Sequence, residues 1–323
     1  MSKYSILILF LVVFLFSCTN KSKDRNISST GKLNAISVVI DDQLWNGIVG
    51  DSIRNKFASP VEGLPTEEPR FDINQFPTHL MEGFVTKSRI IIVVKKGTKN
   101  SFEIKKNKYA TPQNVIHIAG RSLTDLVKII EQRTPQIIKI LETSELKEQQ
   151  RLLKVPLQNV DFIQKQFALT LQIPKPYSYI FRQEDFVWLK KEYSTGSTSI
   201  ILTQLPIKDI NTDADILEQF IRIHDSLGAL YIKSSDATSK MYIDKSFPLY
   251  VFKTTLNGKS TYEIKGTWRL KNSFMFGPFV NYLIWDNKKN RIIFLEGFCY
   301  LPSKDRRDFM QELETILKGV TIR

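Results

Sequence analysis

The sequence predicts an α+β protein built from two helix-backed, mostly antiparallel sheets, and three observations lead there. Short apolar runs of strand character recur along the chain, separated by Asn-Gly or Lys-rich turns and by stretches with a helical apolar period. Each half closes in the same order, with a strand, a basic turn, a second strand and an amphipathic helix, which suggests an internal duplication. With 323 residues, 42% of them hydrophobic and 24% charged, the chain can bury one large or two modest cores. That composition excludes a disordered acidic tail and a polytopic membrane protein.

The first element is a leader. Lys3 supplies a positive start, the apolar run from Ile6 to Phe16 spans 11 residues, and Ser17 precedes Cys18. A membrane-spanning helix needs about 20 residues, and the chain turns polar at Thr19, so residues 1–17 read as a secretory signal peptide. Leu15-Phe16-Ser17-Cys18 resembles a bacterial lipobox. Cleavage before Cys18 frees its sulfur and amino group for acylation, palmitate among the chains, and two or more buried chains hold where one is marginal. Residues 18–31 are then a lipidated flexible tether reaching about 20 Å, residues 32–155 a first α+β half and residues 156–323 a second.

In the first half, residues 35–40 read as a strand and Asp41-Asp42 as the cap of a helix carrying Trp45, Val49, Ile53 and Phe57. Pro60 ends that helix, and a Pro- and Glu-rich loop covers 59–72. Residues 89–94 form a continuous apolar run, the mark of a strand covered on both faces. The turn 95–100 leads into an alternating segment at 102–105, read as its hairpin partner, and 115–119 is a further strand. Ser122 with Asp125 forms a capping box that opens a helix, and Pro135 marks a kink or a second start.

In the second half, strands fall at 169–173, 177–181, 186–193 and 199–203, with a helix over 213–227. Asn257-Gly258 joins 249–256 to 261–268 as the clearest hairpin, because both residues tolerate the positive φ of a type I′ turn. A second hairpin pairs 279–285 with 292–300, and a helix over 303–317 follows.

Several segments together resemble the domain-of-unknown-function family 4837, a group of Bacteroidota envelope lipoproteins. They are Asp41 to Asp51, Leu64 to Phe71, Gly266-Thr267-Trp268, Gly277 to Val280 and Glu296 to Tyr300. The resemblance extends over nearly the whole mature chain and implies an envelope address without an activity. It also makes the absence of an acidic run after Cys18 relevant, which implies the periplasmic face of the outer membrane. The second half looks like the PsbP-type α/β sandwich, an assembly or binding module.

Motifs for chemistry are incomplete. Gly50-Asp51-Ser52 matches the opening of a lipase-like nucleophile block, but Phe76, Asn114 and Ile221 stand three residues before the His residues, so Ser52 reads as a helix residue. Asn257-Gly258-Lys259-Ser260 lacks the first glycine of a phosphate loop, Lys253 standing in its place. Three scattered His and two Cys provide no zinc set. His117 reads as a core histidine, Gly47 and Gly50 as packing glycines, and Cys299 as a buried reduced thiol.

Charge is the informative feature. The chain carries 46 Lys+Arg against 33 Asp+Glu, a net of +13. Residues 41–82 hold 8 acids and 3 bases, whereas 87–108 hold 8 bases and one acid, Glu103. Lys95, Lys96, Lys99, Lys105 and Lys106 are therefore candidates for contact with anionic headgroups or an acidic envelope polymer, and Glu62, Glu67, Glu68 and Asp72 for an acidic contact loop. The expected function is a non-catalytic cell-envelope lipoprotein, anchored through Cys18, that binds or organises another envelope component such as a partner protein. No cofactor, metal or nucleic acid is expected. The alternative is an envelope hydrolase acting on a glycan or lipid through paired carboxylates drawn from Asp41, Asp42, Glu68 and Glu296.

Overall fold

The computed structural model describes residues 27–153, 156–211, 215–232 and 239–323. The signal peptide and Cys18 lie outside the described residues.

Three apolar runs dominate the first half: β1 (Ala35–Ile40), β3 (Ile90–Lys96) and β5 (Asn114–Gly120). Runs this apolar need neighbours on both edges and cover on both faces, so they take the centre of a five-stranded sheet. The more polar β2 (Asp72–Phe76) and β4 (Ser101–Lys106) take its edges, giving the order β2-β1-β3-β5-β4. β1 pairs parallel with β2 and β3, and β3 parallel with β5; the antiparallel pair is β4 with β5.

This sheet corrects two expectations. It is mostly parallel, and β3 and β4 are not a hairpin, because β5 inserts between them. The second sheet is wholly antiparallel, so the two halves are not copies of one unit. Their shared ending, a hairpin followed by a helix, is a local likeness only.

The helix expected over 41–57 is two pieces, α1 (Asp42–Trp45) and α2 (Ile48–Phe57), broken at Asn46-Gly47. A β-carbon on Gly50 would overlap the Trp45 carbonyl, so this glycine permits α2 to fold back against α1. Helix α3 (Leu123–Leu152) starts where expected, with Ser122 accepting from the Asp125 amide at 3.1 Å, and runs through Pro135 without interruption. α2 and α3 pack on one face of the sheet, burying Ile53, Phe57, Leu126, Ile130 and Leu141 against Ile36, Val38, Ile92 and Ile116 of the central strands. Among the described residues the other face carries no α-helix.

In the second half β7 (Ser178–Arg182), β8 (Phe186–Tyr193), β9 (Gly196–Pro206), β14 (Arg291–Tyr300), β13 (Phe276–Asp286) and β12 (Lys259–Leu270) pair in that spatial order. β10 (Met241–Ile243) and β11 (Tyr250–Leu256) share the outer edge of β12. Asn257 and Gly258 take φ of 51° and 72°, and Leu256 pairs with Lys259, as a two-residue hairpin turn requires. Helix α5 (Ile216–Tyr231) covers one face, with Phe220 and Ile221 among Phe279, Leu283 and Phe294. Helix α6 (Arg307–Lys318) covers the other through Leu313, Ile316 and Leu317, beside α4 (Asp161–Phe167). A short ribbon of β6 (Leu169–Thr170) and β15 (Thr321–Ile322) closes that side. Among the described residues no helix is long and apolar enough to cross a membrane.

Gly50→Ala is expected to lower the stability of the chain by about 2 kcal/mol, the cost of overpacking a tight contact. Chemical denaturation checks this, and an unchanged midpoint would show that α1 and α2 can separate without loss.

Candidate functional site

The halves meet where the acidic loop expected to face a partner turns inward. Glu68, only 6% exposed, accepts from the backbone amides of Arg306 and Arg307 at 2.7 to 2.9 Å, at the start of α6. A carboxylate at that place satisfies amides that the helix leaves free and faces its positive end. Asp72 receives both outer nitrogens of Arg307, at 3.0 and 2.9 Å, and this hydrogen bonding holds its carboxyl below the usual range. Of the four proposed loop acids, two therefore join the halves, while Glu62 and Glu67 remain exposed.

A second link runs through the interior. Arg89 donates to both carboxylate oxygens of Glu145, at 2.6 and 2.8 Å, with both side chains essentially excluded from solvent. Arg89 also donates to the carbonyls of Gly31 and Lys32, and Glu145 accepts from the amide of Asn34 at 2.8 Å. Asn34 and Gln311 of α6 then exchange side-chain amide hydrogen bonds.

Between these links opens a cleft of about 590 Å³, with Arg70, Lys139 and Glu142 on the first half and Phe252, Glu263 and Lys265 on the second. Most of its charges are paired. Lys265 sits 2.6 Å from Glu314 and 3.1 Å from Glu263, and Lys318 lies 2.9 Å from Glu314. Burial opposes the charge on Glu314, but Lys265 and Lys318 outweigh it and push the carboxyl down to about 2. The same pairing outweighs burial in Lys265 and Lys318 and raises both above the usual lysine value. Arg70 pairs with Glu142 at 2.8 Å. These sets offer charge and hydrogen bonds to a ligand, and Glu314 stays ionised at neutral pH, so it supplies no general acid there.

The four carboxylates of the hydrolase alternative are dispersed, and none lines the cleft. Asp41 and Asp42 receive Thr78 and the Gln75 amide at the end of β1. Glu68 holds α6. Glu296 is fully buried in the second sheet, 3.3 Å from His224 and accepting from Asn281 at 3.0 Å. Burial works against a charged His224, yet Glu296 and then Asp225, 3.4 Å away, raise it to about 9. The contact between His224 and Glu296 favours the charged imidazole, and no local pattern signals it because the two are far apart in the chain. Among the described residues no group of three or more His, Cys, Asp or Glu could hold a metal. Ser52 lies within α2. Cys299 is buried and unpaired, and burial pushes its thiol up to about 12, as a core thiol requires.

The basic segment divides over its sheet. Lys95 at the end of β3 and Lys105 on β4 point to the helix-free face, the face of Val93 and His117, as their odd register positions dictate. Lys96 and Lys106 fall on the alternate positions, and Lys99 lies in the turn beyond the strand ends. His117 is half-buried on the helix-free face rather than in the core, 3.5 Å from Lys108. Burial first, then Lys108 and Lys105, lower its pKa.

Fold and site define two unlike α/β units joined by a charged seam. The chain belongs to the family described as Domain of unknown function (DUF4837), whose model matches residues 157–319. A second model, Domain of unknown function (DUF8532), matches residues 29–154. The family resemblance seen in the sequence therefore holds over the second half, and the first half carries a different match. No curated protein matches the chain. Among solved structures, the Ran-binding protein Mog1p of Saccharomyces cerevisiae aligns at 11% identity and a TM-score of 0.31, over 48% of this chain and 90% of that one.

Glu145→Gln is expected to destabilise the protein by about 3 kcal/mol or more, because it leaves the Arg89 charge buried with half its partner; thermal unfolding measures this. Glu314 is depressed in the fold, so its contribution is complete above about pH 4.5 and fades as pH falls toward 2. His224 is raised, so its contribution is complete below about pH 6.5 and fades as pH rises through 9. Unfolding midpoints followed from about pH 2 to 10 should show both limbs, the alkaline one disappearing in His224→Gln; an identical alkaline limb in that variant would show that His224 is neutral in the fold.

Proposed function

We propose that the protein is a non-catalytic envelope lipoprotein, held to the membrane through acylated Cys18, that uses the cleft between its halves to bind another envelope component. Its place is the periplasmic face of the outer membrane. The observation that carries the binding reading is the state of the cleft: a broad opening in which Arg70, Glu142, Glu263, Lys265, Glu314 and Lys318 are held in ion pairs, with the carboxylates considered for hydrolysis engaged elsewhere. An apolar wall containing Phe252 beside fixed charges suits recognition of a polar, charged partner rather than bond cleavage. The leader and Ser17-Cys18 support the address.

Two measurements test this. Cells supplied with labelled palmitate should incorporate it into the wild-type chain and not into Cys18→Ser. A photocrosslinking residue placed at Lys139 or at Phe252, on opposite walls of the cleft, should capture the same envelope component in intact cells, and one at the exposed Phe274 should not. Capture of nothing from either wall, or of the same component from Phe274, would remove the cleft as the binding place.

A further inference from the structure

The helix-free face of the first sheet is only half covered. The segment 77–89 lies over Val39, Ile91 and Val115 by way of Val85 and Met81, while Val93 and His117 stay partly open to solvent. That segment displays two large apolar side chains outward, Leu80 at 42% exposure and Phe84 at 69%, the latter edge-on to Phe76 at 5.6 Å. Beside it, Tyr109 packs against the same cluster with Lys108 over its ring at 4.6 Å. Gln113, buried, ties the two loops together: it donates to the carbonyls of Thr86 and Ser88 at 2.7 and 2.8 Å and accepts from the Tyr109 amide at 2.9 Å. The apolar and basic parts of this face are thus set in one frame. Lys87, Lys95, Lys105 and Lys108 are its bases; Glu82 and Glu103 are the acids on the same segments, and Glu103 is engaged with Lys105 at 3.2 Å. His117, half-buried on this face 3.5 Å from Lys108, has its pKa lowered first by burial and then by Lys108 and Lys105.

The chain path leads to the same place. Thr111 donates to the Ile27 carbonyl at 2.8 Å and accepts from the Ser29 amide at 3.0 Å, so residue 27 enters the fold beside the turn that carries Lys106 and Lys108. Cys18 is nine residues earlier, a reach of at most about 30 Å. The eight residues between them contain Lys21, Lys23 and Arg25 against Asp24.

We propose that this face docks onto an anionic lipid bilayer, Phe84 and Leu80 entering the headgroup region while Lys87, Lys95, Lys105 and Lys108 meet lipid phosphates. The proposal rests on the envelope reading above and deepens it. Aromatic and aliphatic side chains on a face that also carries lysines gain from both burial in the interface and attraction to anionic headgroups. The acyl anchor by itself leaves the orientation of the body free; this face fixes it.

The test uses the chain from residue 18 onward with Cys18→Ser, which contains every described residue, in co-sedimentation with vesicles. It should bind vesicles containing phosphatidylglycerol and not vesicles of phosphatidylcholine. Replacing the four lysines by Gln should reduce partitioning at least about tenfold, and Phe84→Ser several-fold. Replacing Lys253, Lys271, Lys288 and Lys289, four exposed lysines of the second half, should leave binding unchanged. Equal losses in the two lysine sets would reduce the effect to net charge and overturn the proposal. So would binding to soluble polyglutamate with none to vesicles, which assigns the face to an acidic polymer. Loss of vesicle binding with palmitate labelling of Cys18 intact refutes the docking face alone; absent labelling refutes the envelope reading itself.

Discussion

The buried ion pair between Arg89 and Glu145 is the contact on which the arrangement of the molecule turns. Arg89 stands at the entry to β3, Glu145 in the last third of α3, and neither charge is reached by water. Such a pair is tolerated only when nearly all its hydrogen-bonding positions are filled. Here the carbonyls of Gly31 and Lys32 and the amide of Asn34 fill them, so the pair fixes the incoming chain, the central strand and the long helix at one point. Asn34, held in this way, carries the link to Gln311 and hence to the second half. The position of α6 against the first half follows from that geometry, together with Glu68 at its amino end.

The net charge of the chain conceals three different uses of charge. In the seam, acids and bases satisfy one another across the two halves, as Asp72 and Arg307 do. In the cleft, Glu263, Glu314, Lys265 and Lys318 form a set in which mutual attraction outweighs burial. On the helix-free face, Lys95, Lys105 and Lys108 stand with few acids beside them, Glu103 being engaged with Lys105. The third of these leaves lysine charge facing outward from the sheet.

Much of the local structure is legible in the sequence because the signals for it are local. The Ser122 cap, the Asn257-Gly258 turn and the apolar run through β3 each act within a few residues, and each appears where the sequence places it. The apolar run of β3 is equally legible, yet its full consequence is tertiary: a strand so apolar needs a partner on each edge, and β5 takes the place expected of β4. The acidic loop differs from its expected role for a related reason. Glu68 and Asp72 look like solvent-facing acids in one dimension, and their partners, Arg306 and Arg307, lie at the far end of the chain. The His224 contact is hidden in the same way, since Glu296 reaches it from a strand much further along the chain.

Periodicity, capping and turn chemistry act within a window of about ten residues. They are enough to place strands, turns and helices, to make the second half an antiparallel sheet backed by helices, and to show that charge is polarised along the chain. Folding in three dimensions settled the rest: that the first sheet is mostly parallel, that two of the loop acids serve the seam, and which lysines share a face with Phe84. Those outcomes depend on sheet order and on pairs distant in the chain, where burial and hydrogen-bond satisfaction choose among partners that look equivalent in one dimension.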